Sequence, residues 1–221
     1  MDSIQFLIQI VVFLYSVILH EIAHGYVAYR YGDLTAKLSG RLSFNPIVHI
    51  DPIGSLAVPG LLFMTGAHFL FGWAKPVPVS PANLRGGIRS LRLVTMAGII
   101  TNIALALFAA LVLMIATNFD LPPSNIGVYV FFQIIAINLI LAIFNTLPMP
   151  GFDGYNLLAT YPFFQRIIER TPLRDPFFMM RYGMIIAFGL LFVFMPVISR
   201  LFGVVLTAVI YLFGLDSLFF G

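Results

Sequence analysis

The chain has 221 residues, of which 60% are hydrophobic and only 10% charged, whereas about 25% of the residues of an average soluble domain are charged. This composition excludes an ordinary soluble globular protein. Because cysteine is absent, disulfides, a thiol nucleophile and thiolate metal ligands are excluded as well. The net charge is +3, but the basic residues lie in short loops, as in the cytoplasmic loops of membrane proteins. We therefore expect a lipid bilayer as the environment and no nucleic acid as a partner.

The first predicted element is a helix over residues 4–30. Residues 4–19 are apolar and would rise about 24 Å at about 1.5 Å per residue. His20, Glu21 and His24 then lie toward the far side of the bilayer, still at membrane depth. The first five residues lack the basic region of a secretory signal, so we expect the helix to be retained.

The middle of the chain alternates apolar runs with stretches rich in turn-forming residues. Residues 31–51 contain Asn-Pro and Asp-Pro pairs and predict a loop. Residues 53–73 are apolar but are interrupted by Pro59-Gly60 and Gly66. Within residues 74–79, prolines alternate with other residues, a pattern that suits an edge strand better than a helix.

Two good spans and a longer apolar region follow. Residues 91–116 predict one span and residues 127–147 another, which the prolines at 148 and 150 end. A more polar helix and loop are expected over 155–174. The final apolar region, 178–215, has a break at 196–200 that predicts two helices or a hairpin.

The strongest chemical signal is the segment HEIAH. Positions i and i+4 share one face of a helix, so His20 and His24 can direct ring nitrogens at one metal ion, with Glu21 a turn away as the general base. Ionisable groups inside a membrane are costly and usually functional. The structural alternative is a cluster of polar residues near the membrane interface whose hydrogen bonds are all formed and which binds no metal.

Asp153 is the best candidate for a third ligand, because a catalytic zinc site usually has three protein ligands and an open position. It follows a span in the stretch PMPGFDG, where prolines and glycine break the helix. The structural alternative is an ordinary helix N-cap. Asp153 meets the HEIAH segment only if the two spans are parallel, which requires an odd number of crossings between them. If residues 91–116 cross, residues 53–73 should form a re-entrant or shallow element.

The distribution of charge supports the same arrangement. With a re-entrant 53–73 element, the Lys and Arg residues from Arg30 to Arg181 all lie on one side, and the opposing 118–126 loop carries none. The positive-inside rule then predicts an external N-terminus and an active-site mouth that faces the cytoplasm.

These motifs together resemble a known family. HEIAHGYVAYRYGD, NPIVHIDPIG, GWAKPVPVSPANLR, AGIITN and NTLPMPGFDG occur in the order found in zinc-dependent site-2 proteases (peptidase M50), in the compact branch without a PDZ domain. The resemblance extends to about Leu158. It implies one zinc ion per chain bound by His20, His24 and Asp153, catalysis by Glu21, and a core of three membrane helices. Ile99 departs from the family, in which proline is common after the Ala-Gly pair.

The expected fold is therefore an α-helical polytopic membrane protein with a three-helix catalytic core, a re-entrant or shallow element and a C-terminal helical hairpin. We expect one domain over 1–221, with the catalytic core at about 1–158 and the C-terminal helices at about 159–221. The expected location is the bacterial or archaeal cell membrane, which the chain crosses several times.

The expected function is a zinc-dependent intramembrane endopeptidase that acts on membrane-tethered proteins. Asn102 is the first candidate donor to the oxyanion and His49 the second; the alternatives are that Asn102 only joins helices and that His49 is a loop histidine. His68 has no assigned role. Residues 74–79 could hold an unwound substrate by strand pairing, or could be a proline-rich surface loop.

Three other functions remain open at this stage. A divalent-metal transporter would also place His and acidic residues in helices, although such proteins usually contain repeats and none is visible here. A protease of prenylated peptides would use a downstream Glu, for which Glu169 is the candidate. A scaffold without catalysis would bind no zinc tightly.

Overall fold

The structure is a computed structural model that describes residues 3–65, 72–119 and 122–219. Regular structure in these ranges is helical and includes no strand. The α-helices are α1 (Ser3–Arg30), α2 (Thr35–Leu38), α3 (Val58–Met64), α4 (Ile88–Ala116), α5 (Ile126–Thr146), α6 (Asp153–Leu158), α7 (Pro162–Glu169), α8 (Pro176–Leu212) and α9 (Asp216–Phe219). A π-helical segment covers Pro52–Ala57, and single 3-10 turns lie at Pro46–Val48, Pro81–Asn83, Thr117–Phe119 and Pro172–Arg174.

Within the described ranges, four helices are long and apolar enough to cross a membrane. They are α1, α4, α5 and the part of α8 over Ile185–Leu212. The α-helical membrane fold predicted from composition is confirmed. His68 lies outside the described residues, as does Gly66.

Local sequence explains where these helices begin and end. Gly32, at φ +98°, follows the end of α1 in a conformation that L side chains rarely adopt. Asn125 starts α5 with its side chain accepting from the Gly127 N–H, and Pro148 lies just beyond the end of that helix. Asp175 starts α8 in the same way, by accepting from the Phe177 N–H.

The core is a packed group of α1, α4 and α5, against which α8 lies. Ala106, Ala109 and Ala110 of α4 are fully buried there and contribute to a cluster with residues of α5 and α8. Small residues let helix backbones approach closely, which is how helices associate where lipid removes the hydrophobic driving force.

The described ends of the segment predicted to be re-entrant lie close together. Its described helical part, Pro52–Ala57 followed by α3, would rise only about 20 Å at about 1.5 Å per residue, short of a hydrocarbon core of about 30 Å. The Trp73 N–H donates to the Gly54 carbonyl over 3.1 Å, and the Ser55 hydroxyl donates to the Trp73 carbonyl over 2.8 Å. The described ends of the segment therefore meet, as a re-entrant or shallow element requires.

The predicted C-terminal hairpin is wrong. The structure has one continuous helix of 37 residues, α8, with Pro196 inside it. Proline removes one backbone hydrogen bond and usually kinks a helix, but membrane helices tolerate it where neighbouring helices, hydroxyl side chains or a local change of helical winding satisfy the freed backbone group. The sequence signal at 196–200 is therefore an interior proline and not a turn.

The edge strand predicted at 74–79 is also absent, since residues 72–80 run without regular secondary structure. Pro76 and Pro78 have no N–H to donate, and the Lys75 N–H already donates to the His49 carbonyl over 2.9 Å. Arg41, which is buried, donates to the Lys75 carbonyl. The segment is thus fixed by the preceding loop and not by strand pairing.

Candidate metal centre

Three predicted ligands converge at one point of the structure. Nε2 of His20 and Nε2 of His24 lie 3.0 Å apart, and each lies 3.2 Å from Oδ2 of Asp153. Both histidines are buried and Asp153 is largely covered. Among the described residues these are the His, Asp and Glu side chains that form a group suited to hold a metal ion.

The helices place these ligands without distortion. His20 and His24 are one turn apart on α1, so their rings lie on the same face. Asp153 is the first residue of α6, and its predecessor Phe152 occupies the N-cap position without a side-chain cap. The N-cap interpretation of Asp153 is therefore not observed. The two spans run parallel, as the site requires, because contacts follow the same order along both: Gln9 with Tyr129 and then Ser16 with Asn138.

Hydrogen bonds fix the proton on each imidazole. Nδ1 of His20 lies 2.6 Å from the side-chain oxygen of Asn102, and Nδ1 of His24 lies 2.6 Å from the Val94 carbonyl oxygen. Amide and carbonyl oxygens can only accept a hydrogen bond. Each neutral ring therefore carries its proton on Nδ1 and leaves the Nε2 lone pair free. Both lone pairs then point at the Asp153 carboxylate.

This arrangement fits a divalent cation. Oδ2 of Asp153 is buried without a hydrogen-bond partner, and three electron-rich atoms crowd together with no proton between them when both rings are neutral. A positive charge is needed at their centre. Two ligands about 2.0–2.1 Å from a tetrahedral zinc ion would lie roughly 3.3–3.4 Å apart, close to the separations found here. The outer hydrogen bonds are those expected of metal-binding histidines.

Two glycines make room for the centre. A Cβ on Gly98 of α4 would lie 2.5 Å from Nε2 of both His20 and His24. A Cβ on Gly154 would collide with the backbone of Thr146 at the end of α5. Glycine at these positions therefore lets α4 approach the histidines and lets α6 pack against α5.

Glu21 lies beside this group at the edge of the core. Its side chain is half-buried, and its Oε2 accepts a hydrogen bond of 2.7 Å from the Val77 N–H. The carboxylate is therefore held by the 72–80 segment. That segment is anchored again at Ser80, whose N–H donates to Asp33 Oδ2 over 2.6 Å.

The two predicted oxyanion donors are engaged elsewhere. Asn102 is fully buried; its oxygen faces His20 and its amide donates to the Asn138 oxygen over 2.8 Å. The role of Asn102 as a donor to the oxyanion stays a prediction, while in this structure its side chain contacts the proposed ligand His20. His49 is also fully buried, and its Nε2 donates to the Ser43 carbonyl over 2.8 Å.

Some contributors were missed from sequence. Asn138 is an isolated amide in an apolar span, and that alone was a usable signal. The Val94 carbonyl and the Val77 N–H are backbone groups, which leave no signature in a sequence. Glu169, the ligand of the alternative protease class, is exposed on α7 and is not part of the candidate metal group.

Fold and site together define an all-helical protein of membrane type with a candidate metal centre in its core. Comparison with curated proteins agrees with this class. The chain is 41% identical over 153 residues to "Putative zinc metalloprotease YwhC" of Bacillus subtilis, an alignment that covers 67% of this chain and 66% of that relative.

Mycobacterial proteins are similar at lower identity. The chain is 30% identical over 161 residues to "Putative zinc metalloprotease Rip2" of Mycolicibacterium smegmatis and 32% identical over 162 residues to the protein of that name from Mycobacterium tuberculosis. Each of these alignments covers 71% of this chain and 58% of the relative. The chain thus spans less than two thirds of the length of these relatives. The similarities support a zinc metalloprotease family.

No family model matches the chain. No solved structure matches it either.

Proposed function

We propose that this protein is a zinc-dependent intramembrane endopeptidase of the site-2 protease type, which hydrolyses peptide bonds in or near the transmembrane segments of membrane-tethered proteins. The observation that carries the proposal is the convergence of the His20 Nε2, His24 Nε2 and Asp153 Oδ2 atoms, each ring with its proton on Nδ1. The similarity to proteins named as zinc metalloproteases supports it.

The roles of the residues follow from their chemistry. His20, His24 and Asp153 would hold one zinc ion, which when bound polarises a carbonyl group and activates water. Glu21 accepts the proton of the attacking water and passes it to the leaving amine. The hydrogen bond from Val77 keeps the Glu21 carboxylate in one place between these two transfers.

Substrate handling is proposed from the backbone of the 72–80 segment. A helical substrate has its carbonyl groups engaged and must unwind before hydrolysis. The segment is not helical and contacts Glu21, so an unwound peptide lying beside it would be close to the general base. Since the N–H groups of Lys75 and Val77 already have partners, we expect pairing to use carbonyl groups of the segment other than that of Lys75, which accepts from Arg41.

The orientation is proposed from charge. The end of the core that holds the candidate centre also carries the basic loops from Arg30 to Arg92 and from Arg166 to Arg181. The positive-inside rule places that end in the cytoplasm, in the cell membrane of a bacterium or an archaeon, as the bacterial relatives suggest.

The experiment that tests the function combines metal analysis with cleavage. The purified protein in detergent is expected to contain one zinc ion per chain and to cut a transmembrane model peptide. Replacing His20, His24 and Asp153 together should remove the zinc. Stoichiometric zinc in that variant would refute the site, and zinc flux into proteoliposomes without any cleavage would instead support a divalent-metal transporter.

A further inference from the structure

A buried chain of polar side chains connects α1, α4 and α5 behind the candidate centre. His20 Nδ1 lies 2.6 Å from the Asn102 oxygen, and the Asn102 amide donates to the Asn138 oxygen over 2.8 Å. The Asn138 amide donates to the Ser16 hydroxyl and to the Ile134 carbonyl, both over 2.9 Å. Asn102 and Asn138 are fully buried, so water does not replace these partners.

The direction of this chain is set at its far end. The Ile134 carbonyl can only accept, so the group of Asn138 that faces it is the amide nitrogen. The Asn138 oxygen must then face Asn102, and Asn102 must present its own amide there. The oxygen of Asn102 is left to face His20, whose Nδ1 therefore carries the proton.

We infer that Asn138 is a positioning residue for the metal centre: acting through Asn102, it selects the tautomer of His20 in which Nδ1 carries the proton and Nε2 does not. The inference rests on the proposed zinc site but adds a residue that touches none of its ligands. Without Asn138, the Asn102 amide group can turn over and offer N–H to Nδ1, which would place the His20 proton on Nε2 and block the ligand atom.

A double-mutant cycle separates this role from simple packing. Asn138→Leu is made in the unmodified chain and again together with Asn102→Asp. A carboxylate at position 102 offers an oxygen to His20 whichever way it is turned, so it no longer needs Asn138 to orient it. Zinc affinity is measured on metal-free protein in detergent by competition with a chelator.

We expect Asn138→Leu to weaken zinc binding by about 10- to 100-fold, as outer-shell substitutions at metal sites typically do. In the Asn102→Asp background the same substitution should not weaken zinc binding, because it also removes the Asn138 oxygen that would face the carboxylate, acceptor against acceptor. Ser16→Ala is the matched control. It removes one hydrogen bond of the Asn138 amide but keeps the contact with the Ile134 carbonyl, which sets the orientation of the Asn138 side chain. The zinc affinity of this control should stay close to that of the unmodified chain, with helicity and Tm recorded for every variant.

Equal losses of zinc affinity in both backgrounds would overturn the inference and leave Asn138 as a residue that only joins helices. A second readout does not depend on zinc. Nitrogen NMR of ¹⁵N-histidine-labelled, metal-free protein should show His20 protonated on Nδ1, and a mixture of the two ring forms in Asn138→Leu. An unmodified His20 protonated on Nε2 would refute the inference. Tight zinc binding without cleavage would refute the proposed protease and leave the inference standing.

Discussion

The Val77 N–H donates to Oε2 of Glu21 over 2.7 Å, so a segment that follows the re-entrant element directly contacts the proposed general base. This contact makes Glu21→Gln a precise test. The glutamine oxygen can still accept from Val77, whereas the side chain can no longer take up a proton. The substitution therefore removes basicity and keeps the local structure.

We expect Glu21→Gln to lower the cleavage rate by about 100- to 10,000-fold, the usual contribution of a general acid–base group, with zinc content unchanged. The measurements are cleavage of a transmembrane model peptide and elemental analysis of the same preparation. Cleavage at the original rate would disprove the role of Glu21. Loss of zinc from this variant would show that Glu21 helps to hold the ion.

Gly98→Ala tests the close approach of α4 to the centre. The added methyl group would lie 2.5 Å from Nε2 of both His20 and His24, where a metal ion would have to bind. We expect zinc binding to fall at least about tenfold, the lower end of what disturbing a metal site costs. Gly203→Ala is the control, since a Cβ at Gly203 of α8 would meet no atom within 4 Å. Equal zinc affinity in the two variants would contradict the geometry.

Asp33 anchors the segment that contacts Glu21, and its charge predicts a pH dependence. Burial alone would raise the pKa of Asp33, but hydrogen bonds from Thr35, Ser80 and Asn83 outweigh it and hold the pKa below the usual range. Because the folded-state pKa is lowered, the stabilisation is complete above the ordinary value of about 3.9 and is lost as the pH falls through the folded-state value.

Asp33→Asn should therefore lower the free energy of unfolding by about 1–3 kcal/mol at neutral pH, the cost of leaving a buried partner unsatisfied. An amide in place of one carboxylate oxygen would face the Ser80 N–H or the Thr35 N–H, donor against donor. The Tm difference between the two proteins should shrink as the pH falls below about 3.9. A difference that is constant from pH 6 to pH 3 would contradict the assignment.

The absence of cysteine makes the proposed orientation directly testable. Ser39 lies in the basic loop after α1 and Ser124 in the opposing loop before α5, and both side chains are exposed. Each is replaced by cysteine in a separate variant, Ser39→Cys or Ser124→Cys. In intact cells, a thiol reagent that does not cross the membrane should label Ser124→Cys and not Ser39→Cys, while both should react after lysis. The reverse pattern would overturn the orientation.

The ligand set was predictable because its signals are local. His20 and His24 show helical spacing, and the proline and glycine residues around Asp153 indicate a helix end. The re-entrant element was predictable because two spans that share a site must be parallel. Both conclusions needed only residue types and the order of the spans.

What could not be predicted depends on tertiary contacts. Whether Pro196 breaks a helix or lies inside one is decided by the surroundings of α8, and the sequence alone favoured a hairpin. Asn102 was recognised as a polar residue near the site, but its partner determines what it does. That partner, Asn138, lies on a different helix, and only the packing of α4 against α5 brings the two amides together.

The ligands of the candidate centre are far apart in the sequence, although they lie together in the fold. His20 and His24 belong to α1, which is synthesised before α4 and α5, whereas Asp153 follows α5. A metal centre binds tightly only when all its ligands are in place. A nascent chain on the ribosome would thus carry an incomplete centre until α5 has been inserted beside α1. If the proposed function holds, the order of synthesis itself would delay peptide hydrolysis until these helices have assembled.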